Sequence, residues 1–338
     1  MPALTRYQKL LNRRARPDRL IALNARVAEL QESEDIKYLL GAMEPLDADY
    51  TEKCLGEAER VQKYLEPFAS IRLQGSVTTN THIRYHSDVD ILTITEQFTA
   101  WEGGGPAHLP TYAPDPVVTL MDLRARSRRT LAAEFPEVTI REKDRALSLS
   151  GGSLRRNVDV VTANWYHSTE YVRSSDENVR GVQVLSTESR SRVLNLPFLH
   201  QHRLREKDAL TGGGSGRAIR LLKTLKADAE SDIAISSYDI CALVWNMEAG
   251  ALPGDEDHAL RLAGNCASFL LDLVTNEARL NALTVPNGLR RIVGPEGTSL
   301  TAVRALWHEL YRLLENIRRD GKEIERRYLN HGQRLLAY

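Results

Sequence analysis

The 338-residue sequence predicts an α+β protein, with a mixed β-sheet core that follows N-terminal helices and precedes a helical C-terminal domain. Three observations predict this class. Apolar residues recur every three or four positions at 1–66, alternate with polar ones in the short segments between about 70 and 170, and return to helical spacing afterwards. We therefore expect N-terminal helices at 1–66, a sheet core at 67–170 and a helical domain at 171–338.

The first strands of the core follow directly from local patterns. A strand begins at Ser70 and leads into a Gly-Ser turn, and a helical turn and loop are expected at 77–87. A second strand is predicted at 88–95. Residues 98–114 contain three consecutive glycines and three prolines, so we expect a surface loop there.

The second half of the core begins with a helix. Asp115 is a suitable N-cap and Pro116 suits the first helical position, so a helix is expected to run to about Phe135. Three short strands follow, at the alternating pairs Val138/Ile140, Leu147/Leu149 and Val158/Val160. Beyond about residue 170 we expect no further strand, and the predicted helices lie at 218–229, 238–247, 258–275 and 300–319.

Bulk composition argues against several classes of protein. Lys plus Arg and Asp plus Glu number 45 each, so no global field attracts duplex nucleic acid or a membrane surface, and a local basic cleft stays open as an alternative. No run of 18 apolar residues occurs, and the first residues contain no apolar signal-peptide core. The three cysteines, Cys54, Cys241 and Cys266, lie far apart, which fits a reducing cytoplasm and neither a disulfide framework nor a zinc ribbon.

Asp88 and Asp90 flank one apolar residue in a predicted strand, so both carboxylates project from the same face. Val89 and Ile91 then point to the opposite face, into a core. Neighbouring carboxylates repel each other unless a cation lies between them, and Mg²⁺ binds such hard ligands together with substrate phosphates. The alternative is a solvated acidic face on an edge strand.

Two further features favour phosphate chemistry. The Gly75-Ser76 turn allows backbone N–H groups to approach a phosphate. Asp159 provides a third carboxylate between two valines; the alternative is a surface carboxylate on an edge strand. If Asp88, Asp90 and Asp159 converge, two Mg²⁺ ions about 3.5–4 Å apart can hold an in-line displacement at the α-phosphate of a nucleotide. Asp159 is also a candidate general base.

Basic residues lie along one side of the helix predicted after the glycine run 212–216. Arg220, Lys223 and Lys226 are three residues apart, and a lysine there can bind β- and γ-phosphates; for Arg220 and Lys226 the alternative is a solvated basic face. The glycine run is not a Walker loop, because Arg217 stands where Gly-Lys-Ser/Thr is required, and we expect a flexible hinge or loop.

Other polar and aromatic residues allow two interpretations. Ser236-Ser237 before Tyr238 indicates a helix N-cap, which is compatible with a phosphate contact. His200 and His202 have no third ligand at suitable spacing, so we expect loop histidines and no zinc site. The remaining candidates are Trp165 and Tyr166, for base stacking or core packing; Asn164, for base reading or an ordinary loop; and the arginines at 13, 14, 16 and 19, for a solvated face or a phosphate or partner surface.

Four short windows of the chain resemble a known group of enzymes. Leu73-Gln-Gly-Ser76 and Asp88-Val-Asp-Ile91, followed by Asp159, resemble the polymerase β-type nucleotidyltransferase superfamily. Arg220-Leu-Leu-Lys-Thr-Leu-Lys226 and Ser236-Ser-Tyr-Asp-Ile240 resemble the lysine helix and the Ser-Tyr helix of oligoadenylate synthetases and of cGAS/DncV-like nucleotidyltransferases, or CD-NTases.

The resemblance implies a fold and a set of site residues. The fold is a polymerase β-type nucleotidyltransferase core with an N-terminal helical spine and an oligoadenylate synthetase-like helical domain. The catalytic and metal-binding residues are Asp88, Asp90 and Asp159, with two Mg²⁺ or Mn²⁺ ions as cofactors. The nucleotide-binding residues are Gln74, Gly75, Ser76, Lys223 for the triphosphate, Ser237 for a phosphate and Tyr238 for stacking on the donor base.

The resemblance also implies a function. CD-NTases join NTPs into cyclic di- or oligonucleotides, release pyrophosphate and signal to antiphage effectors, as in CBASS defence. We therefore expect NTP substrates, an effector reached by the diffusible product, and a regulatory protein partner. Transfer of a single nucleotide to a small molecule, a protein or RNA, and a catalytically silent nucleotide-binding module, stay open as alternatives. The base specificity, linkage and ring size are not readable from the sequence.

Overall fold

A computed structural model describes residues 4–13, 33–83, 89–104 and 112–335. The chain forms two compact units. The core unit comprises Leu46–Glu206 and Pro286–Leu289, and the helical unit comprises Met1–Pro45, Lys207–Val285 and Arg290–Tyr338. The N-terminal helices are divided between the two units, and the core unit extends beyond residue 170. The division into three domains stays a prediction.

The core unit contains a mixed sheet. Its strands are β1 (Ser70–Gln74), β2 (Val89–Trp101), β3 (Thr139–Glu142), β4 (Leu147–Ser150), β5 (Val158–His167), β6 (Gly181–Ser186) and β7 (Ser191–Asn195). The order is β1-β2-β5-β4-β3, with β6 pairing with the second half of β5 and β7 pairing with β6. Only β2 and β5 run parallel among these pairs; the others are antiparallel. The α+β class with a mixed sheet is therefore confirmed.

The α-helices assigned in the described residues are numbered in chain order. They are α1 (Arg6–Arg13), α2 (Glu34–Met43), α3 (Ala48–Leu65), α4 (Pro116–Glu134), α5 (Thr169–Ser174), α6 (Pro197–Leu210), α7 (Gly214–Asp228), α8 (Ser237–Trp245), α9 (Ala259–Thr275), α10 (Glu277–Ala282) and α11 (Leu300–Leu335). The predicted start of α4 is confirmed: Asp115 caps it by accepting a hydrogen bond from the Val117 N–H at 2.7 Å. The basic cluster at residues 14, 16 and 19 lies outside the described residues.

Two expectations about the sheet were wrong. Phe98–Trp101 were predicted as loop but continue β2. After an irregularity in register between Thr95 and Thr99, β2 pairs with β5 again as far as His167. The side chain of Phe98 is buried there. Strands also continue beyond residue 170, since β6 and β7 form a hairpin whose Val182 and Val184 side chains are buried.

One face of the sheet packs against α3 and α4. Val89 and Ile91 of β2 and Val158 and Val160 of β5 are buried in this core together with apolar side chains of both helices. The predicted inward orientation of Val89 and Ile91 is therefore confirmed. Because side chains alternate along a strand, Asp90 and Asp159 project from the opposite face.

The helical unit is built around α7, which α2, α8, α9 and α11 contact. Gly214–Gly216 form the first turn of α7 and are buried, so the hinge predicted there was wrong for these residues. A Cβ on Gly214 would lie 2.1 Å from the Leu252 carbonyl oxygen, and this close approach explains the glycine. His200 and His202 lie in α6, a helix that was not predicted, and not in a loop.

The three cysteines are buried and their thiols are free, which agrees with the prediction that they form no disulfide framework. Burial raises the pKa of the Cys266 thiol to about 12, so its reactive thiolate form is scarce at neutral pH. In the part of the chain that the structure describes, no helix is both long and apolar enough to cross a bilayer.

Candidate active site

Asp90 and Asp159 lie side by side at the beginning of two neighbouring parallel strands. Asp90 of β2 is in register with Asp159 of β5, so both side chains project from the same face of the sheet. Adjacent parallel strands are about 4.8 Å apart, which brings the two carboxylates close together. Like charges in such a cross-strand pair destabilise the sheet unless a cation compensates for them.

Asp159 is held within the sheet and is only partly accessible. Its strand β5 is bordered by β2 on one side and by β4 on the other, so the alternative of a carboxylate on an edge strand is wrong. Its side chain is 14% exposed, and Ser148 of β4 stands in register beside it. Lys143 Nζ donates hydrogen bonds to its carboxylate, at 2.9 Å to Oδ2 and 3.3 Å to Oδ1.

Gly75 packs directly against the carboxylate of Asp90. Gly75 has φ +87°, and a Cβ at this position would lie 2.2 Å from Asp90 Oδ2. Any larger residue would therefore both strain the backbone and displace the carboxylate. Gln74 precedes it in β1 and is in register with Asp90. The turn that follows is tied locally, with the Thr81 N–H donating to the Ser76 carbonyl at 3.0 Å.

Asp88 lies outside the described residues, so its place beside the pair stays a prediction. Within the ranges 4–13, 33–83, 89–104 and 112–335, the side chains form no group of three or more His, Cys, Asp or Glu residues suited to a metal. The donors that are described, two adjacent carboxylates with a glycine cradle, fit a hard divalent cation such as Mg²⁺.

The predicted phosphate-binding helix, α7, is largely buried. Lys223 is 3% exposed. Arg220 is 6% exposed, so the alternative of a solvated basic face is wrong for Arg220. Arg220 Nε donates a hydrogen bond to the Met43 carbonyl at 2.7 Å, which links α7 to the end of α2. Lys226, near the end of α7, is half-buried.

The Ser-Tyr segment forms the start of α8. Ser236 is the N-cap, since its hydroxyl accepts a hydrogen bond from the Asp239 N–H at 2.9 Å, as predicted. Ser237 is exposed and Tyr238 is half-buried. The Arg290 guanidinium lies 5.4 Å from the centre of the Tyr238 ring and pairs with Asp239 at 2.7 Å. The nucleotide contacts assigned to Lys223, Ser237 and Tyr238 stay predictions.

The residues after Asp159 mostly stabilise the sheet. Trp165 is 2% exposed and its Nε1 donates to Glu96 Oε1 at 3.2 Å, so the packing interpretation is confirmed. Asn164 lies in β5 and is fully buried, and the expectation of an ordinary loop residue was therefore wrong.

A buried arginine that is not among the predicted site residues fixes the β3–β4 turn. Arg124 of α4 is 4% exposed and donates hydrogen bonds to the carbonyls of Lys143, Asp144 and Ala146. Its burial lowers the pKa of the guanidinium from its usual value. No local pattern marks this residue, because its partners lie about 20 residues away and become neighbours only when α4 packs on the sheet.

Arg124→Met is expected to lower the free energy of unfolding by about 3 kcal/mol, because the part-buried Lys143 carbonyl and the buried Ala146 carbonyl lose their charged donor. Arg128→Met is the control on the same helix: its side chain is 50% exposed and pairs with Glu142, a contact worth about 0–1 kcal/mol. Urea unfolding of both variants measures the difference, and equal losses would contradict the anchoring role of Arg124.

Comparison with known proteins places these features in a family. The model of the cGAS/DncV-like nucleotidyltransferase C-terminal helical domain matches residues 202–315. The cyclic dinucleotide synthase CdnE of Yersinia aleksiciae is 38% identical over 266 residues, which cover 76% of this chain and 70% of that protein. The chain belongs to the cGAS/DncV-like nucleotidyltransferase family. The predicted family is therefore confirmed, and the protein is a nucleotidyltransferase of the group that synthesises cyclic oligonucleotides from NTPs.

Solved structures of CD-NTases share the fold. A STING-associated CdnE c-di-GMP synthase from Capnocytophaga granulosa is 26% identical, with a TM-score of 0.75 over 93% of this chain and 97% of that one. The corresponding enzyme from a Flavobacteriaceae species, at 23% identity and a TM-score of 0.73, covers 86% of this chain and 88% of that chain. Because the Flavobacteriaceae structure is only 23% identical, its similarity supports the fold alone. The predicted polymerase β-type core with a helical domain is thus confirmed.

Proposed function

We propose that this CD-NTase joins two nucleoside triphosphates into a cyclic dinucleotide, with divalent ions held by Asp90 and Asp159. In each of two steps a ribose hydroxyl attacks an α-phosphorus, a new P–O bond forms, and pyrophosphate leaves. The observation that carries the proposal is the in-register pair of carboxylates, with Gly75 packed against one of them. Relatives named cyclic dinucleotide synthase and c-di-GMP synthase support the type of product.

The carboxylates have separate tasks in this proposal. The contact with the Gly75 backbone holds the Asp90 carboxylate in one place. Asp88, the residue before β2, completes the ligand set. Asp159, in the neighbouring strand, accepts the proton of the attacking hydroxyl or orients it. Two bound Mg²⁺ ions would supply Lewis-acid polarisation of the α-phosphate and charge compensation for the leaving pyrophosphate.

The remaining assignments concern substrate binding. Gln74, Gly75 and Ser76 present backbone groups to a phosphate, since their turn lies beside Asp90. In the helical unit, Ser237 is exposed and Tyr238 is half-buried beside Arg290, which supports phosphate contact and base stacking. Lys223 binds the triphosphate in this scheme. Because Lys223 is buried, its replacement should affect folding as well as nucleotide affinity.

Signalling is the biological part of the proposal. The Capnocytophaga granulosa relative is described as STING-associated. We infer that the product of this chain also leaves the enzyme and activates a separate effector in antiphage defence, in the cytoplasm, with a regulatory protein partner. Burial of all three free cysteines is compatible with a reducing compartment.

The test is product formation from NTPs. Purified protein is incubated with the four α-³²P-labelled NTPs and Mg²⁺, treated with phosphatase and resolved by chromatography; omission of each NTP identifies the bases. Asp159→Asn should lower the rate at least about 10³-fold, because several kcal/mol of metal-dependent stabilisation is lost and about 1.4 kcal/mol is tenfold. The control is Asp122→Asn, on the exposed side of α4, which should keep wild-type activity.

Each outcome of this test has a definite meaning. A phosphatase-resistant product that Asp159→Asn lacks supports the proposal. Undiminished product from Asp159→Asn contradicts the catalytic assignment. A product with one nucleotide on a non-nucleotide acceptor replaces cyclisation by single transfer.

A further inference from the structure

Lys143 forms a contact that the proposed chemistry does not use. We propose that Lys143 is a positioning residue. Its ammonium takes the place of a metal ion at Asp159 in the metal-free enzyme and moves away when a metal ion binds there. This inference rests on the metal-binding role proposed for Asp159. It predicts that Lys143 lowers the apparent metal affinity of the site.

The contact engages the whole carboxylate of Asp159. Lys143 Nζ lies 2.9 Å from Oδ2 and 3.3 Å from Oδ1, so one ammonium occupies a lone pair on each of the two oxygens that a metal ion would use. The Lys143 side chain is 51% exposed, whereas that of Asp159 is 14% exposed. The carboxylate is therefore fixed in the sheet, while the ammonium approaches from the solvent side on a flexible stem.

The backbone that carries Lys143 is held from two sides. The buried Arg124 donates hydrogen bonds to the Lys143 carbonyl at 2.5 Å and to the Ala146 carbonyl at 3.0 Å. The neighbouring Asp144 carboxylate accepts hydrogen bonds from the Ser186 hydroxyl at 2.8 Å and from the Glu188 N–H at 2.9 Å. The β3–β4 turn thus presents Lys143 at a defined distance from Asp159, while the exposed end of the side chain can still move.

The repulsion between two carboxylates explains why the Lys143 ammonium lies beside Asp159 when no metal ion is bound. Asp90 and Asp159 are in register on adjacent strands, and the ammonium offsets part of their mutual repulsion. A divalent ion that binds Asp159 must compete with the Lys143 ammonium for the carboxylate lone pairs, and the positive charge of the ammonium repels it. Because a half-exposed ion pair is weak, a metal ion can displace it at a modest cost in affinity.

The test measures Mn²⁺ binding without nucleotide. Free Mn²⁺ is followed by electron paramagnetic resonance during titration of the full-length protein at low ionic strength, where screening is small. Lys143→Met removes the charge and keeps the stem, and should bind Mn²⁺ about fivefold more tightly, the upper range for an exposed ion pair. Lys143→Arg keeps the charge and should bind no more tightly than wild type. Lys53→Met, at an exposed position of α3, is the matched control and should leave the affinity unchanged.

A second background separates this proposal from a general change in charge. In Asp159→Asn protein, Lys143→Met should no longer raise Mn²⁺ affinity, because the contested ligand is gone. The proposal is overturned if Lys143→Met binds Mn²⁺ no more tightly than Lys53→Met, or if the gain persists in the Asp159→Asn background. Product assays on the same proteins test the proposed function separately. If Lys143 has no effect on Mn²⁺ affinity, Asp159→Asn should still lose product formation.

Discussion

Asp90→Asn is expected to lower the rate of product formation at least about 10³-fold, a loss as large as that expected for Asp159→Asn. The amide keeps the shape of the carboxylate against Gly75, but it removes a negative charge from the pair formed with Asp159. Loss of a metal ligand forfeits several kcal/mol of charge stabilisation in the transition state, and each 1.4 kcal/mol corresponds to about tenfold in rate.

The measurement is the steady-state rate of product formation at saturating Mg²⁺, compared with that of Asp122→Asn. Thermal unfolding of the same samples shows whether both variants are folded. A folded Asp90→Asn enzyme with a rate within tenfold of wild type would contradict the assignment of Asp90 as a metal ligand.

Gly75→Ala is expected to reduce activity at least about 100-fold, with a smaller loss of stability. Its added Cβ would meet Asp90 Oδ2 at 2.2 Å, so the carboxylate must move away from the position it shares with Asp159. A catalytic group displaced by about 1 Å loses on the order of 100-fold in rate. The φ of +87° adds backbone strain of about 1 kcal/mol for any residue with a Cβ.

Gly103→Ala is the matched control. Gly103 has φ +71°, and no atom lies within 4 Å of the position that a Cβ would take there, so the variant has similar backbone strain without the collision. It should lose about 1 kcal/mol of stability and keep its activity. If Gly75→Ala is as active as Gly103→Ala, the contact between the turn and Asp90 does not matter for catalysis.

Local signals sufficed for much of the fold. The Asp115-Pro116 start of α4 and the inward-facing valines around Asp159 were predictable because each depends on neighbouring residues alone. The Gly-Ser turn and the Asp-Val-Asp triplet are local signals of the same kind, and the candidate site is predicted from them.

Non-local contacts account for most of the errors. The continuation of β2 to Trp101 depends on pairing with β5, some 65 residues later. Gly214 begins a helix and not a hinge because the Leu252 backbone packs against it. Lys143 reaches Asp159 only because the β3–β4 turn folds back along β5, and nothing in the sequence around Lys143 indicates this contact.

The most direct measurement is a crystal structure with Mn²⁺ and a non-hydrolysable NTP, with the metal located by anomalous scattering. We expect Mn²⁺ bound by carboxylate oxygens of Asp90 and Asp159 at about 2.1 Å, bridging to phosphate oxygens of the nucleotide, with Lys143 turned away. Mn²⁺ bound to the phosphates without contact to either aspartate would contradict the account.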